Sequence, residues 1–231
     1  MPNHTANNLT VSGPNEDVRR FVEAAKSKTD PTYFFDFNNI VPMPDELKGT
    51  VSPTRIMEQS EIDAVWAKWN LQKENGTLSE WERDKPWGLG ISKEKHDELI
   101  SKYGCDNWYD WKTGNWGTKW GAYDTKEWVF GEINSDTTAS IYYETAWSPA
   151  TQFLLKASCE YPTLTFHQEF ADEGGGFIGT ETIKNGEIVD SKEFEWDSEA
   201  GKEKLISLGR YNESDDEDAD EDTEAESTEQ V

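Results

Sequence analysis

Thiols, imidazoles and long apolar runs are what this chain has least of, and each shortage closes off a class of protein. Two cysteines (Cys105, Cys159) and three histidines (His4, His96, His167) are scattered through 231 residues. Neither cysteine sits in a Cys-x-x-Cys pair, no spacing suits zinc, and an iron–sulfur cluster usually needs four thiolates. No metal site and no cofactor is therefore expected. No apolar stretch approaches the roughly 18 residues that cross a bilayer. The opening Met1-Pro2-Asn3-His4-Thr5 has no basic region followed by an apolar one. No secretory signal is expected, and the Asn-x-Ser/Thr triplets at Asn3, Asn8, Asn75 and Asn212 are not read as glycosylation sites. An intracellular setting would keep both thiols reduced.

Positive charge is scarce too. There are 22 Lys and Arg against 47 Asp and Glu, a net charge of −25. Eleven of the acids fall between Glu213 and Glu229 with no basic residue among them, and removing these leaves −14 on residues 1–212. Such a chain repels phosphates and attracts basic protein surfaces. Neither nucleic acid nor membrane is expected as a partner. Aromatic residues, by contrast, make up 13% of the chain, with 11 tryptophans. Their large side chains can fill a sizeable core although aliphatic residues are few.

Periodicity organises residues 1–44 first. Leu9-Thr10-Val11 alternates up to Gly13-Pro14 and predicts a strand and a turn. Val18, Phe21, Val22 and Ala25 follow at i, i+3, i+4, i+7 and predict an amphipathic helix over 16–27, with Asn15 as its N-cap. After Asp30-Pro31, Tyr33-Phe34-Phe35-Asp36-Phe37 predicts a second strand, closing in Val41-Pro42-Met43-Pro44.

Residues 45–127 read as an insertion. Ser60 is predicted to cap a helix carrying Ile62, Val65, Trp66 and Trp69, and Asn75-Gly76 to turn the chain. Ser92 should cap another helix, which Gly104 ends near Tyr103. Residues 107–120 show neither a helical nor a strand period.

Residues 128–210 repeat the first pattern. Trp128-Val129-Phe130 predicts the start of a strand and Ala139–Thr145 another. Ser148-Pro149 predicts a cap and first turn for a helix with Ala150, Phe153, Leu154 and Ala157 on one stripe. Leu164-Thr165-Phe166 predicts a further strand. Each half then reads β-α-β. The expected fold is α+β: a ferredoxin-like split βαβ sheet with a helical, Trp-rich insertion. "Ferredoxin-like" describes topology only. A β-hairpin is added, Phe177–Ile183 and Ile188–Phe194 about Asn185-Gly186. A short helix over 198–208 and a disordered acidic tail over 211–231 complete the expectation. Leu9, Val11, Phe21, Val22, Phe35, Phe37, Ile141, Tyr143, Phe153, Leu154, Leu164 and Phe166 should share one core.

Several segments, in order, carry a resemblance. They are Met1-Pro2-Asn3 with Asn8 through Gly13, and Phe37-Asn38-Asn39-Ile40-Val41-Pro42-Met43-Pro44. Tyr103-Gly104 and Asn107-Trp108-Tyr109-Asp110-Trp111 then run into Asn115-Trp116-Gly117-Thr118-Lys119-Trp120. Thr145-Ala146-Trp147-Ser148-Pro149, Tyr161-Pro162 with Leu164, and Glu173-Gly174 before Phe177 and Gly179 complete the set. Over residues 1–180 the chain resembles phage and plasmid proteins with a YubB-type ferredoxin-like domain. Thr5 stands where many relatives carry Cys, and Ala150 where a second Pro is common. The acidic tail lies outside the resemblance. The resemblance implies an accessory protein of a phage or mobile element and brings no catalytic residues with it.

Candidate sites are weighed against packing. Gly174-Gly175-Gly176-Phe177-Ile178-Gly179 satisfies G-x-G-x-x-G, but that motif binds a dinucleotide only between a strand and a helix, and here a hairpin follows. Trp108, Tyr109, Trp111, Asn115, Trp116 and Trp120 form the candidate binding surface, because Trp and Tyr dominate interface hot spots. The competing reading makes about half of these rings filler, Trp108 and Trp111 foremost. Asp106, Asp110 and Asp124 near Tyr109 could form an acid or metal site, although acids on a solvated face are the commoner case. His167 is read as a surface or satisfied histidine. No nucleophile–base spacing is legible, so no catalytic residue is assigned.

The leading expectation is a phage or mobile-element accessory protein in the host cytoplasm. It would bind a host or phage protein with a basic surface, counter-defence being one concrete version. The alternative is an enzyme or small-ligand-binding protein with its site between the Trp-rich segment and the sheet.

Overall fold

The structure, a computed structural model, describes residues 3–79, 86, 89–134 and 136–210. The expected disordered tail over 211–231 lies outside them. In chain order the elements are β1 (His4–Gly13), α1 (Asn15–Ala25), α2 (Gln59–Glu74), α3 (Lys93–Tyr103), α4 (Trp108–Trp116), β2 (Val129–Ile133), β3 (Asp136–Ala146), α5 (Thr151–Glu160), β4 (Thr165–Asp172), β5 (Ile178–Lys184), β6 (Glu187–Glu193) and α6 (Glu199–Ser207). One-turn 3-10 helices lie at Phe37–Asn39 and Asp45–Leu47. The chain divides into two compact units. One joins the segments up to Val41 and from Trp116 onward, and the other is Pro42–Asn115.

The first unit holds a six-stranded sheet in the order β2-β3-β1-β4-β5-β6, with every neighbouring pair antiparallel. Central β1 pairs with β3 at Leu9↔Ile141 and with β4 at Val11↔Phe166. The first four strands therefore lie as 2-3-1-4, the ferredoxin-like arrangement, and the hairpin β5–β6 extends it beyond β4. That hairpin turns on Asn185 and Gly186, whose φ values of 52° and 78° are the left-handed pair that matches strand twist.

One predicted strand is corrected. Residues 33–36 belong to no strand and Phe37 opens a 3-10 turn, and the second strand of the ferredoxin-like order is Val129–Ile133 instead. Phe35 and Phe37 are buried as strand alternation requires, but the backbone of the neighbouring residues is bonded elsewhere. Asp36 N donates to Ala25 O at 2.7 Å and Phe34 N to the Thr125 hydroxyl at 3.2 Å. Two caps are also corrected. Asn15 is the first helical residue after Pro14, and its Oδ1 accepts from Arg19 Nε at 2.8 Å. Ser148 donates to Gly117 O at 2.5 Å rather than capping α5.

One face of the sheet packs under α1 and α5. All twelve predicted core residues lie here, none more than 3% exposed. Aromatic edges hold this core: Phe21 meets Phe166 at 5.2 Å and Phe35 meets Tyr143 at 5.1 Å, while Phe37 stacks on Phe153 at 4.0 Å. A buried polar chain crosses it. Tyr143 OH donates to Gln168 Oε1 at 2.8 Å, and Gln168 Nε2 to Glu181 Oε1 at 2.8 Å. On the opposite face, the cross-strand pair Ala6↔Ala171 leaves a shallow place in the sheet. There α6 settles with Leu205 and Leu208 against Ile178.

The second unit is helical. Ile56 and Ile91 form an isolated parallel bridge, and Leu47, Met57, Trp69, Leu99 and Trp111 are buried. Helix α2 begins after Glu58, two residues earlier than a Ser60 cap requires, with Glu58 N donating to Glu61 Oε2 at 3.0 Å. Ser92 caps α3 and Gly104 ends it in the left-handed conformation, as predicted. The segment read as aperiodic contains a helix, α4. Asn107 starts it, its Oδ1 accepting from the backbone of Tyr109 and of Asp110, both at 3.0 Å.

Candidate functional site

The six candidate residues go to different places. Trp108, Tyr109, Trp111 and Asn115 lie on α4 in the second unit. Trp108 is half-buried, its backbone N–H donating to the Thr50 hydroxyl at 2.9 Å and its ring 5.8 Å edge-on from Tyr109. Trp111 is buried, and Asn115 Nδ2 donates to Trp111 O at 2.7 Å. Trp116 belongs to the core of the first unit: its Nε1 donates to Val41 O at 2.9 Å and its ring abuts Phe37 at 5.8 Å. Trp120 alone of the six stands at the surface, 38% exposed.

The carboxylates read as an acid or metal site do not converge as one. Asp106 accepts from the Thr54 hydroxyl at 2.6 Å and from Asn107 Nδ2 at 2.9 Å, and its second oxygen faces His96 Nδ1 at 2.7 Å. Burial pushes this carboxyl up, but the three hydrogen bonds together outweigh burial and hold it below its ordinary range. Asp110 accepts from Asn107 at 2.8 Å. Both acids thus brace the start of α4. Asp124 lies in the first unit. Burial and the charge of Asp110 push the Cys105 thiol up, away from a reactive thiolate. Among the described residues, no group of three or more His, Cys, Asp or Glu is placed to hold a metal ion. No helix among them is long and apolar enough to cross a membrane.

Around Trp120 a second constellation forms, entirely within the first unit. The Trp120 ring meets Tyr123 edge-on at 6.1 Å, and Tyr123 meets His4 at 5.5 Å. Lys119 Nζ lies 5.1 Å from the Trp120 ring centroid and 4.7 Å from that of Trp147. Trp147 is 41% exposed, and its backbone sits at φ +75° where β3 has ended and the chain turns toward α5. A bulky side chain in that region is strained. The turn is tied down by Trp147 N donating to Asn3 O at 3.0 Å.

Beneath the aromatics lies Glu144. Arg210 Nη2 donates to its Oε1 at 2.9 Å and Tyr142 OH at 3.0 Å, while His4 Nδ1 is 3.4 Å from Oε2. Burial, then the charge of Glu144, pushes the Tyr142 phenol up to about 12. Burial and the charges of Glu144, Asp124 and Glu173 hold the Tyr123 phenol well above its ordinary range, Arg210 opposing them. Both phenols stay protonated at neutral pH and act as hydrogen-bond donors.

A third feature is the part of the sheet that α6 leaves open. Thr10 and Ser140 hydroxyls bond at 2.9 Å, His167 Nδ1 meets the Thr182 hydroxyl at 3.0 Å, and a shallow concavity of about 440 Å³ lies over them.

Sequence reasoning did not anticipate the joining of His4, Lys119, Tyr123, Glu144, Trp147 and Arg210, which are spread over the whole chain. A signal existed. The segments that carried the resemblance meet at this corner: Ser148 bonds to Gly117, Trp147 to Asn3, and His4 N donates to Glu173 Oε1 at 2.7 Å.

Comparison with known proteins gives the following. Residues 115–229 match the family model described as a ferredoxin-like domain in Api92-like protein. The match begins one residue before Trp116, where the first unit's second segment starts, and runs on into the acidic stretch that lay outside the resemblance. The chain is also similar to the crystal structure of protein api92 from Yersinia pseudotuberculosis. Identity is 10%, the similarity covers 84% of this chain and 98% of that one, and the TM-score is 0.42. No curated protein matches.

Proposed function

We propose that this chain is an accessory protein of a phage or mobile element that acts in the host cytoplasm by binding a host or phage protein with a basic surface. The carrying observation is the indole pair. Trp120 and Trp147 are held 38% and 41% exposed beside Lys119, and Trp147 keeps a strained backbone to stand there. Rigid aromatic area on a strongly acidic chain is what a basic partner recognises. The phage or mobile-element origin rests on the resemblance of ordered segments to YubB-type proteins. The cytoplasmic setting is supported by two free thiols, one of them exposed. Counteracting a host defence is the concrete version we favour. Capture from cells carrying the element, with wild-type chain and with the Trp120→Ala/Trp147→Ala variant side by side, tests the reading. A protein retained by wild type and lost from the folded variant is expected; identical capture by both contradicts it.

A small-ligand or enzymatic reading is favoured by one observation, the concavity over Thr10, Ser140, Tyr142, His167 and Glu169 on the open sheet face. A compound that raises the melting temperature of wild type, but not of His167→Ala, would promote it.

A further inference from the structure

The indole pair is already engaged by a cation, the chain's own Lys119. Two facts make that engagement exchangeable. Both tryptophans are more than a third exposed and Lys119 is half-buried, and a cation–π contact near the surface biases occupancy only about two- to five-fold. The surroundings favour another positive charge. Glu144, Asp124 and Glu173 all act on Tyr123, whose ring meets Trp120 edge-on at 6.1 Å. Arg210 acts in the opposite sense on the Tyr123 phenol, and Glu144 holds it at 2.9 Å. Lys119 is therefore the cation that can leave the rings without breaking an ion pair that the structure shows.

We infer that Trp120 and Trp147 form a receptor for a single arginine or lysine side chain of the protein partner, and that Lys119 occupies it in the unbound state. This rests on the interaction reading above and names the chemistry that the partner must present. On binding, the partner's cation replaces Lys119 over the two rings. The displaced ammonium moves to solvent or to a partner carboxylate. Guanidinium is the better occupant, because its planar, weakly hydrated group stacks on indole at smaller desolvation cost than ammonium.

The test uses the full chain and two short peptides, one carrying a central arginine and its twin with citrulline there. The twin keeps the planar urea shape and loses the charge. Indole N–H signals are followed by NMR during titration, with Trp120→Phe and Trp147→Phe used to assign them. The expected result is that the arginine peptide shifts the Trp120 and Trp147 signals and leaves the buried Trp111 and Trp116 signals in place, which also reports an intact fold. The citrulline peptide should shift neither pair. Lys119→Met should tighten the arginine peptide about two- to five-fold, by removing the internal competitor. Equal shifts from both peptides, shifts confined to other tryptophans, or weaker binding by Lys119→Met would overturn the inference. If a captured partner still depends on Trp120 and Trp147 while the arginine peptide leaves them unmoved, the cation receptor fails and the interaction reading stands.

Discussion

Trp116 and Trp120 are four residues apart, and the structure gives them different work. Trp116 is 4% exposed, with its ring on Phe37 and its N–H on Val41 O. Trp116→Ala is expected to cost about 3–5 kcal/mol of stability through the cavity it leaves, whereas Trp120→Ala should cost little. Chemical denaturation of both variants separates them; equal destabilisation contradicts the placement. Glu181 is the titrating residue to watch. It is 6% exposed, and burial holds its carboxyl above the ordinary value of 4.5, with hydrogen bonds from Thr151 and Gln168 only partly offsetting this. The folded state thus favours the neutral form. The stabilising contribution is fully present below the unfolded-state value, and it is lost as pH rises from there through the raised folded value. Glu181→Gln removes the titration, so the stability difference between acidic and neutral pH should shrink. An unchanged difference would mean that Glu181 does not titrate on folding.

At the scale of elements, helix α4 depends on its cap more than on its stripe. Asn107 Oδ1 takes two orphan backbone donors, and its Nδ2 bonds to Asp106 and Asp110 at 2.9 and 2.8 Å. Asn107→Ala is expected to destabilise the protein by about 1–2 kcal/mol, read as a lower denaturation midpoint; no change would mean that α4 holds without its cap. This element also shows what the sequence conceals. The spacing of Trp108, Tyr109, Trp111 and Trp116 does not trace a single helical face, so a periodicity search passes over it. Asn107 three residues before Asp110 was the legible signal. The opposite error occurred at Tyr33–Phe37, where alternating burial is real but no neighbouring strand pairs with the segment. Side-chain alternation reports which residues face a core, not where the backbone hydrogen bonds go. Where both signals agreed, as at Asn185-Gly186 and at α1's Val18, Phe21, Val22 and Ala25, expectation and structure coincide. The Glu144 cluster was not legible because its members meet only through the antiparallel register of β1 and β3 and the return of α6.

At the scale of the molecule, charge and aromatic surface make separable contributions. A chain of net charge −25 should show no saturable, salt-sensitive binding to DNA or RNA near physiological ionic strength, because phosphate neutralisation supplies most such affinity. A gel shift checks this, and a salt-sensitive shift would promote base stacking on the exposed rings. The eleven acids from Glu213 onward contribute no apolar periodic segment. Removing them should alter long-range steering more than burial. Under the proposed function, the body would carry recognition and the acidic stretch would speed encounter with a basic partner. The most direct test measures the dissociation constant of the captured partner across ionic strength. Three chains are compared: wild type, the chain cut after Arg210, and the full chain bearing Trp120→Ala/Trp147→Ala. The account predicts that the shortened chain keeps most of its affinity with a shallower salt dependence, while the double variant loses it. Loss of binding on truncation, with the tryptophan variant unaffected, would contradict it.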